Sequence, residues 1–179
     1  MCVLGYCNTD SNWIELRGVG IVVTSMKKLR VYVDSSAVGG AFNTRTANET
    51  KPFWEAVQNG EMVVLLSDVL DAEAKNAPQC VRDILNSLPE SQIERVVSTA
   101  ESNKLAAQYV AENVVGPTSL DDCRHIALAT LVQADVLVSW NFKHIVNVRR
   151  IRGYNSVNMK LGYPQIDIRT PYEVTNEET

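Results

Sequence analysis

The sequence predicts an α/β fold, a three-layer α/β/α sandwich with a mostly parallel central sheet. Three observations lead there. Short runs of β-branched and aromatic residues (Val31-Tyr32-Val33, Met62 to Leu66, Ile93 to Val97, Val136-Leu137-Val138) alternate with longer segments of helical pattern. These runs are largely apolar rather than alternating, as expected of strands covered on both faces. The intervening stretches are long enough for helical crossovers, which parallel strands require. At 179 residues the chain suits one domain with a sizeable core.

From Arg30 the elements follow in order. The strand Val31-Tyr32-Val33 leads into a short helix through Phe42, with Ser35 and Ser36 as candidate N-caps. Residues 44–48 are polar, and Pro52 to Asn59 reads as a helix whose apolar side carries Phe53, Trp54 and Val57, stopped by Gly60. After Met62 to Leu66, Ser67-Asp68 cap a helix to about Asn76; Pro78 opens the next, which ends before Pro89. The strand Ile93 to Val97 precedes a helix from Thr99 to Asn113, broken by Gly116-Pro117. Ser119 can cap a long helix from Leu120 to Gln133. The strand at 136–138 is followed by a basic helix from Ile145 to Leu161, a last strand over Gln165 to Arg169, and a polar tail from Asn176.

Residues 1–25 differ in character. They mix small polar residues with one apolar stretch, Gly18 to Val23, and Met26-Lys27-Lys28-Leu29-Arg30 resembles a fresh bacterial-style start. We expect an N-terminal extension over 1–25, arising from a mis-assigned start, and a single domain over 26–179; the other reading is an added edge strand at 19–24. The start has no basic segment followed by a long apolar one, as a secretory signal would. No apolar run approaches the ~18 residues that cross a bilayer, so the expectation is a cytoplasmic protein without membrane contact. Four cysteines (Cys2, Cys7, Cys80, Cys123) stay as thiols in that compartment. Cys2 and Cys7 are spaced loosely like half a zinc site, but both histidines, His125 and His144, have better readings below. Acidic residues number 21 against 17 basic, a net charge of −4, which argues against a broadly basic nucleic-acid coat. No glycine-rich phosphate loop and no nucleophile elbow is present.

Ligands of open α/β sheets bind beyond the carboxyl ends of the strands. Asp34 closes the first strand and Asn141 lies just past the fourth. Glu73 sits in the helix after the second strand, and Asp122 opens the helix before the fourth. Each alone reads equally as a cap or a solvated side chain, and Ser119-x-x-Asp122 resembles a capping box. The set carries the functional reading, because a doubly wound sheet can bring these residues to one edge.

Four passages in order resemble the PIN-domain ribonucleases, including the VapC-like toxins of toxin–antitoxin pairs. They are Val31 to Ser36, Leu66 to Glu73, Asp121 to Ala129 and Ala134 to His144; Ser139-Trp140-Asn141-Phe142-Lys143-His144 is the most distinctive and is similar to one PIN subgroup. The resemblance implies that Asp34, Glu73 and Asp122 are catalytic metal-binding acids, with Ser36 and His125 supporting them. It also places Asn141 where many members carry a fourth acid, so that a second metal would be held less firmly. The implied cofactor is Mg²⁺ (or Mn²⁺), which suits hard oxygen ligands. The implied activity is metal-dependent RNA hydrolysis, with a small antitoxin protein and a second copy of the chain as partners. Lys143, His144, Arg149, Arg150 and Arg152 follow Asn141 closely and could hold an RNA backbone; they read equally as a solvated helix face. Trp140 and Phe142 are candidates for base stacking or for packing the loop. A PIN-like RNA- or protein-binding module with weak or no catalysis is the alternative, favoured by Asn141. A flavodoxin-like regulatory domain is a third reading, in which the 139–144 motif has no role.

Overall fold

In the computed structural model the described residues are 13–16, 19–22 and 27–176. Cys2, Cys7, Met26 and the last three residues lie outside them, and with them the half-zinc reading and the proposed start. Two strands, β1 (Trp13–Leu16) and β2 (Val19–Val22), pair antiparallel as a sheet of their own. The edge strand expected at 19–24 is thus paired with a neighbour from the same segment rather than with the central sheet.

The central sheet has five strands: β3 (Leu29–Val33), β4 (Met62–Ser67), β5 (Ile93–Val96), β6 (Val136–Val138) and β7 (Ile168–Arg169). Their order is β5-β4-β3-β6-β7 and every pairing is parallel. Tyr32 stands opposite Leu65 on one side and Leu137 on the other. The chain first builds outward from β3 through β4 to β5, then returns to β3's other side with β6. The crevice where this reversal happens is where such sheets bind ligands. It lies between the carboxyl ends of β3 and β6, beside Asp34 and the turn after Val138.

Both faces of the sheet are covered. Because side chains alternate along a strand, Tyr32, Leu65 and Leu137 pack on one face against Leu105, Tyr109, Ile126 and Tyr154. Val31, Val33, Val64, Leu66, Val136 and Val138 pack on the other against Phe53, Trp54, Val57 and Leu70. This double burial is why the strands read as unbroken apolar runs.

The helices are α1 (Ser35–Gly40), α2 (Ala47–Gln58), α3 (Asp68–Ala74), α4 (Gln79–Ser87), α5 (Ala100–Ala111), α6 (Leu120–Leu131), α7 (Val148–Leu161) and α8 (Pro171–Thr175). Several boundaries differ from those the sequence suggests. Asp34, not Ser35 or Ser36, caps α1, its side chain accepting from the Ala37 backbone N–H. α2 begins at Ala47, five residues before the Pro52 start the sequence suggests, and carries Pro52 inside it; Ala47 and Asn48 of the polar stretch belong to its first turn. α7 begins at Val148 because the Asn147 side chain accepts from the N–H groups of Arg149 and Arg150. Gly60 ends α2 as expected, at a positive φ of 80°. α8 was not expected, although Thr170-Pro171-Tyr172-Glu173 forms a full capping box. Among the described residues, no helix is long and apolar enough to cross a membrane.

Gly40 is where α1 meets the turn after β6. A Cβ there would lie 2.5 and 2.6 Å from two atoms of the Trp140 indole and 2.9 Å from Thr50 Oγ1. Gly40→Ala should therefore cost about 1–3 kcal/mol by overpacking. Gly39→Ala, which meets nothing within 4 Å, should be neutral or slightly stabilising. Thermal denaturation of the two variants checks this; equal midpoints would show that Trp140 does not need the space.

Candidate active site

Asp34 is the centre of a closed hydrogen-bond cluster. Its Oδ1 accepts from Ser36 Oγ at 2.8 Å and from the Ala37 N–H at 3.0 Å; its Oδ2 accepts from Ser139 Oγ at 2.9 Å. The two serine hydroxyls accept in turn from the backbone N–H groups of Trp140 (2.8 Å) and Asn141 (2.9 Å). The carboxylate is 4% exposed. Burial pushes its pKa up, against the opposing pull of His125, the two hydroxyls and the Ala37 amide. Sequence and fold cooperate here: Asp34 ends the central strand, Ser36 lies in the first turn of α1, and Ser139 follows the paired strand β6.

A second chain of contacts runs under this cluster to Glu73. The buried Tyr32 hydroxyl is 2.8 Å from Ser67 Oγ and 3.0 Å from His125 Nδ1. His125 Nε2 is 3.3 Å from Glu73 Oε2. An ionised carboxylate only accepts, so Nε2 carries its proton toward Glu73. The imidazole, 2% exposed, stands edge-on to the Tyr32 ring. This contact with His125 holds the Glu73 carboxyl below its ordinary pKa, with Ser35 adding to the effect and partial burial opposing it.

Asp122 lies in the first turn of α6, but no capping box forms with Ser119, whose side chain makes no cap bond. Asp122 Oδ1 instead accepts from Asn141 Nδ2 at 2.8 Å. Asn141 Oδ1 accepts from the His144 N–H at 3.0 Å, so the amide is engaged at both ends. Partial burial raises the Asp122 pKa, His144 and His125 lower it, and Glu73 raises it again. Asp122 therefore feels the charge of Glu73, and His125 acts on all three acids.

The turn from Ser139 to Asn147 is tightly braced. Trp140 Nε1 donates to Thr50 Oγ1 at 2.9 Å, and the N–H groups of Ile145 and Val146 both donate to the Asn141 carbonyl. Phe142 is exposed with its ring against Trp140. Of the basic residues that follow, Lys143, Arg149 and Arg152 are exposed and His144 is half-buried. Arg150 is turned inward and donates to the Val114 carbonyl, so it is already committed within the fold.

The structure thus gathers Asp34, Ser36, Glu73, Asp122, His125 and Asn141 at the carboxyl edge of the sheet. Three participants were not singled out from sequence: Tyr32, Ser67 and Ser139. Their signal was positional, since Ser67 ends β4 and Ser139 follows β6 directly. None of Asp34, Glu73 and Asp122 is bonded to a lysine or arginine among the described residues, whereas Glu94, Asp121, Glu112 and Asp167 are. Among the described residues no three His, Cys, Asp or Glu side chains close around one point as metal ligands do. The oxygen donors available are those a hard divalent ion takes, and their charge is not neutralised by a cationic side chain.

No family model and no curated protein matches the chain. Among solved structures, it is similar to the Mycobacterium tuberculosis toxin VapC20, which cleaves the sarcin–ricin loop, at 14% identity and a TM-score of 0.48, over 76% of this chain and 98% of that one. It is also similar to VapBC2 from Rickettsia felis bound to a promoter DNA fragment, at 13% identity and a TM-score of 0.46, over 79% and 98%. At these values what the site does has to be argued from its own residues.

Tyr32→Phe removes the hydroxyl that joins Ser67 to His125. Ser67 and His125 each lose one hydrogen-bond partner in a buried setting, so stability should fall by about 1–3 kcal/mol. The His125 ring nitrogens should also change their NMR shifts. Denaturant titration and nitrogen-detected spectra check both; an unchanged His125 would mean that Tyr32 does not orient it.

Proposed function

We propose that the chain is an endoribonuclease that hydrolyses RNA phosphodiester bonds with the help of Mg²⁺ or Mn²⁺, and that it acts as the toxin of a toxin–antitoxin pair. The single observation that carries the hydrolase reading is three acids, Asp34, Glu73 and Asp122, at one sheet edge with no lysine or arginine among the described residues bonded to them. Burial works against the negative charge of Asp34 and Asp122, and a divalent cation near them would relieve that cost. The resemblance of residues 29–172 to PIN ribonucleases supplies the substrate class and the partners, a small antitoxin protein and a second copy of the chain. The change in residue character at Met26 supports the division into an extension over 1–25 and a domain over 26–179.

A bound Mg²⁺ supplies an acidified water and charge stabilisation at the attacked phosphate. Asp34, Glu73 and Asp122 are the residues that would hold it. The chain's other groups fix those acids. Ser36 and Ser139 fix Asp34 by donating to it, and His125, held by Tyr32, directs its Nε2–H at Glu73. Asn141 fixes Asp122 through its amide N–H, and we assign it this bracing role in preference to ligation, because its carbonyl oxygen already accepts from the His144 backbone. Lys143, Arg149 and Arg152, exposed just beyond this turn, attract the RNA backbone; His144 adds to this where it reaches solvent, and Arg150 contributes mainly to the fold.

Single-stranded RNA should be cleaved in Mg²⁺ or Mn²⁺ and left intact in excess chelator. Asp34→Asn should lower the rate about a hundredfold or more, beyond what loss of a supporting group costs, with its circular dichroism spectrum unchanged. Full activity in that variant or in chelator would reject the metal-dependent reading, and binding of RNA without cleavage by the wild type would favour the non-catalytic binding module. Asn141→Asp puts a second carboxylate against Asp122. Its melting temperature without metal should fall below that of the wild type, and Mn²⁺ should raise it by more. A metal titration indistinguishable from the wild type would remove Asn141 from the site.

A further inference from the structure

Glu73 borders a polar cleft of about 420 Å³ whose walls are α3, the start of α5 and the first turns of α6. We propose that this cleft is a nucleobase subsite, in which the side-chain amides of Asn76 and Asn103 read the edge of one unpaired nucleotide beside the scissile bond. The inference rests on the RNA-hydrolase reading and names the part of the substrate that reading leaves unspecified.

The polar groups of the cleft divide into those already used and those still free. Asp68 Oδ1 accepts from the Ser98 backbone N–H at 3.0 Å and from its hydroxyl at 2.8 Å. Arg124 donates to Asp121 at 2.7 Å. Glu73 is held by His125. Among the described residues, the side chains of Asn76 and Asn103 have no hydrogen-bond partner, and both are exposed in the cleft lining. Each amide presents a donor and an acceptor side by side, the pattern that pairs with the edge of a base. Val69 and Ala72 of α3 line the same cleft and offer apolar surface against which the flat face of a base can lie. The volume falls within the range of small-molecule sites and suits a single nucleotide. Bases are open to this kind of reading where RNA is single-stranded and unstacked. A free phosphate is a poor occupant, because Asp68, Glu73 and Asp121 outnumber the one cation, Arg124.

Two measurements on the full chain test the proposal. In the first, Asp34→Asn protein is titrated with each of the four ribonucleoside 5′-monophosphates while the Asn76 and Asn103 side-chain amide signals are followed by NMR; the signals are assigned by their loss in Asn76→Ala and Asn103→Ala. One nucleotide should shift both signals, with an affinity at least about fivefold above the others. In the second, wild type, Asn76→Ala and Asn103→Ala cleave a pool of random single-stranded RNA. The wild type should prefer one base at a position next to the cut, and each variant should reduce that preference about tenfold. Amide signals that no mononucleotide moves, or variant profiles that superimpose on the wild type, would overturn the subsite. A wild type that hydrolyses no RNA while a mononucleotide shifts both amides would reject the hydrolase reading and leave the subsite standing.

Discussion

A carboxylate buried at the end of the central strand needs hydrogen-bond donors on every side, and much of the local structure follows from supplying them to Asp34. Burying an uncompensated charge is among the most costly things a fold can do. The Ala37 N–H serves Asp34 only if α1 starts directly after β3, which fixes the strand-to-helix turn. Ser139 reaches it only if β6 lies beside β3, which fixes the strand order at the sheet's reversal point. Ser36 and Ser139 accept from the Trp140 and Asn141 backbones, so the turn after β6 is tied to the same carboxylate. Trp140 then has to lie against α1, and only a residue without a Cβ fits at position 40.

The other two acids are held differently, and the differences separate their charge states. Glu73 gains an imidazole partner and has its pKa lowered. Its contribution to stability is present above its unfolded-state pKa and fades as pH falls through the lower, folded value. Asp34 and Asp122 have theirs raised by burial. For them the sign reverses: the folded state favours the protonated form, so ionising them as pH rises through their raised values costs stability. The edge of the sheet therefore carries two disfavoured anions beside one favoured anion. A cation binding near them gains from this imbalance, and that gain is available only in the folded chain.

Much of the fold was readable from the sequence because its strongest signals are local. Three all-apolar runs and a fourth, Ile93 to Val97, interrupted by Glu94 and Arg95, separated by helical stretches, state a parallel sheet covered on both faces, and the structure has one. Boundaries were less readable where a side chain from outside the local pattern decided them. Asp34 outcompetes Ser35 and Ser36 for the α1 cap because the carboxylate also has Ser139 to satisfy. Asn147 starts α7 three residues after Ile145, where apolar periodicity alone placed the first turn. In the site, residues of conspicuous chemistry at strand ends (Asp34, Asn141) were visible as candidates. Tyr32 and Ser67 were not, because a tyrosine within an apolar run and a serine before a helix look like packing and capping. Ser67 does cap α3, accepting from the Leu70 N–H, while also meeting the Tyr32 hydroxyl. One side chain serving two partners cannot be inferred from either pattern alone.

The amide at position 141 shows how the charge of the site and the stiffness of its turn are set together. A carboxylate there could accept from the His144 backbone as Asn141 Oδ1 does, but it could not donate to Asp122. Two ionised carboxylates at that separation repel, and in a half-buried setting the repulsion is only weakly screened. Asn141 supplies the donor instead, so Asp122 stays in place without a cation, and the turn carrying Trp140, Phe142 and Lys143 stays folded with it. The same choice leaves one negative charge fewer to attract a metal. Beyond this turn the cations are unevenly available: Arg150 is consumed by the Val114 carbonyl, and Lys143, Arg149 and Arg152 remain at the surface. In a chain with a net charge of −4, the exposed cations Lys143, Arg149 and Arg152 lie just past Asn141, beside the three acids at the sheet edge, so the placement of charge says more about this site than its sum does.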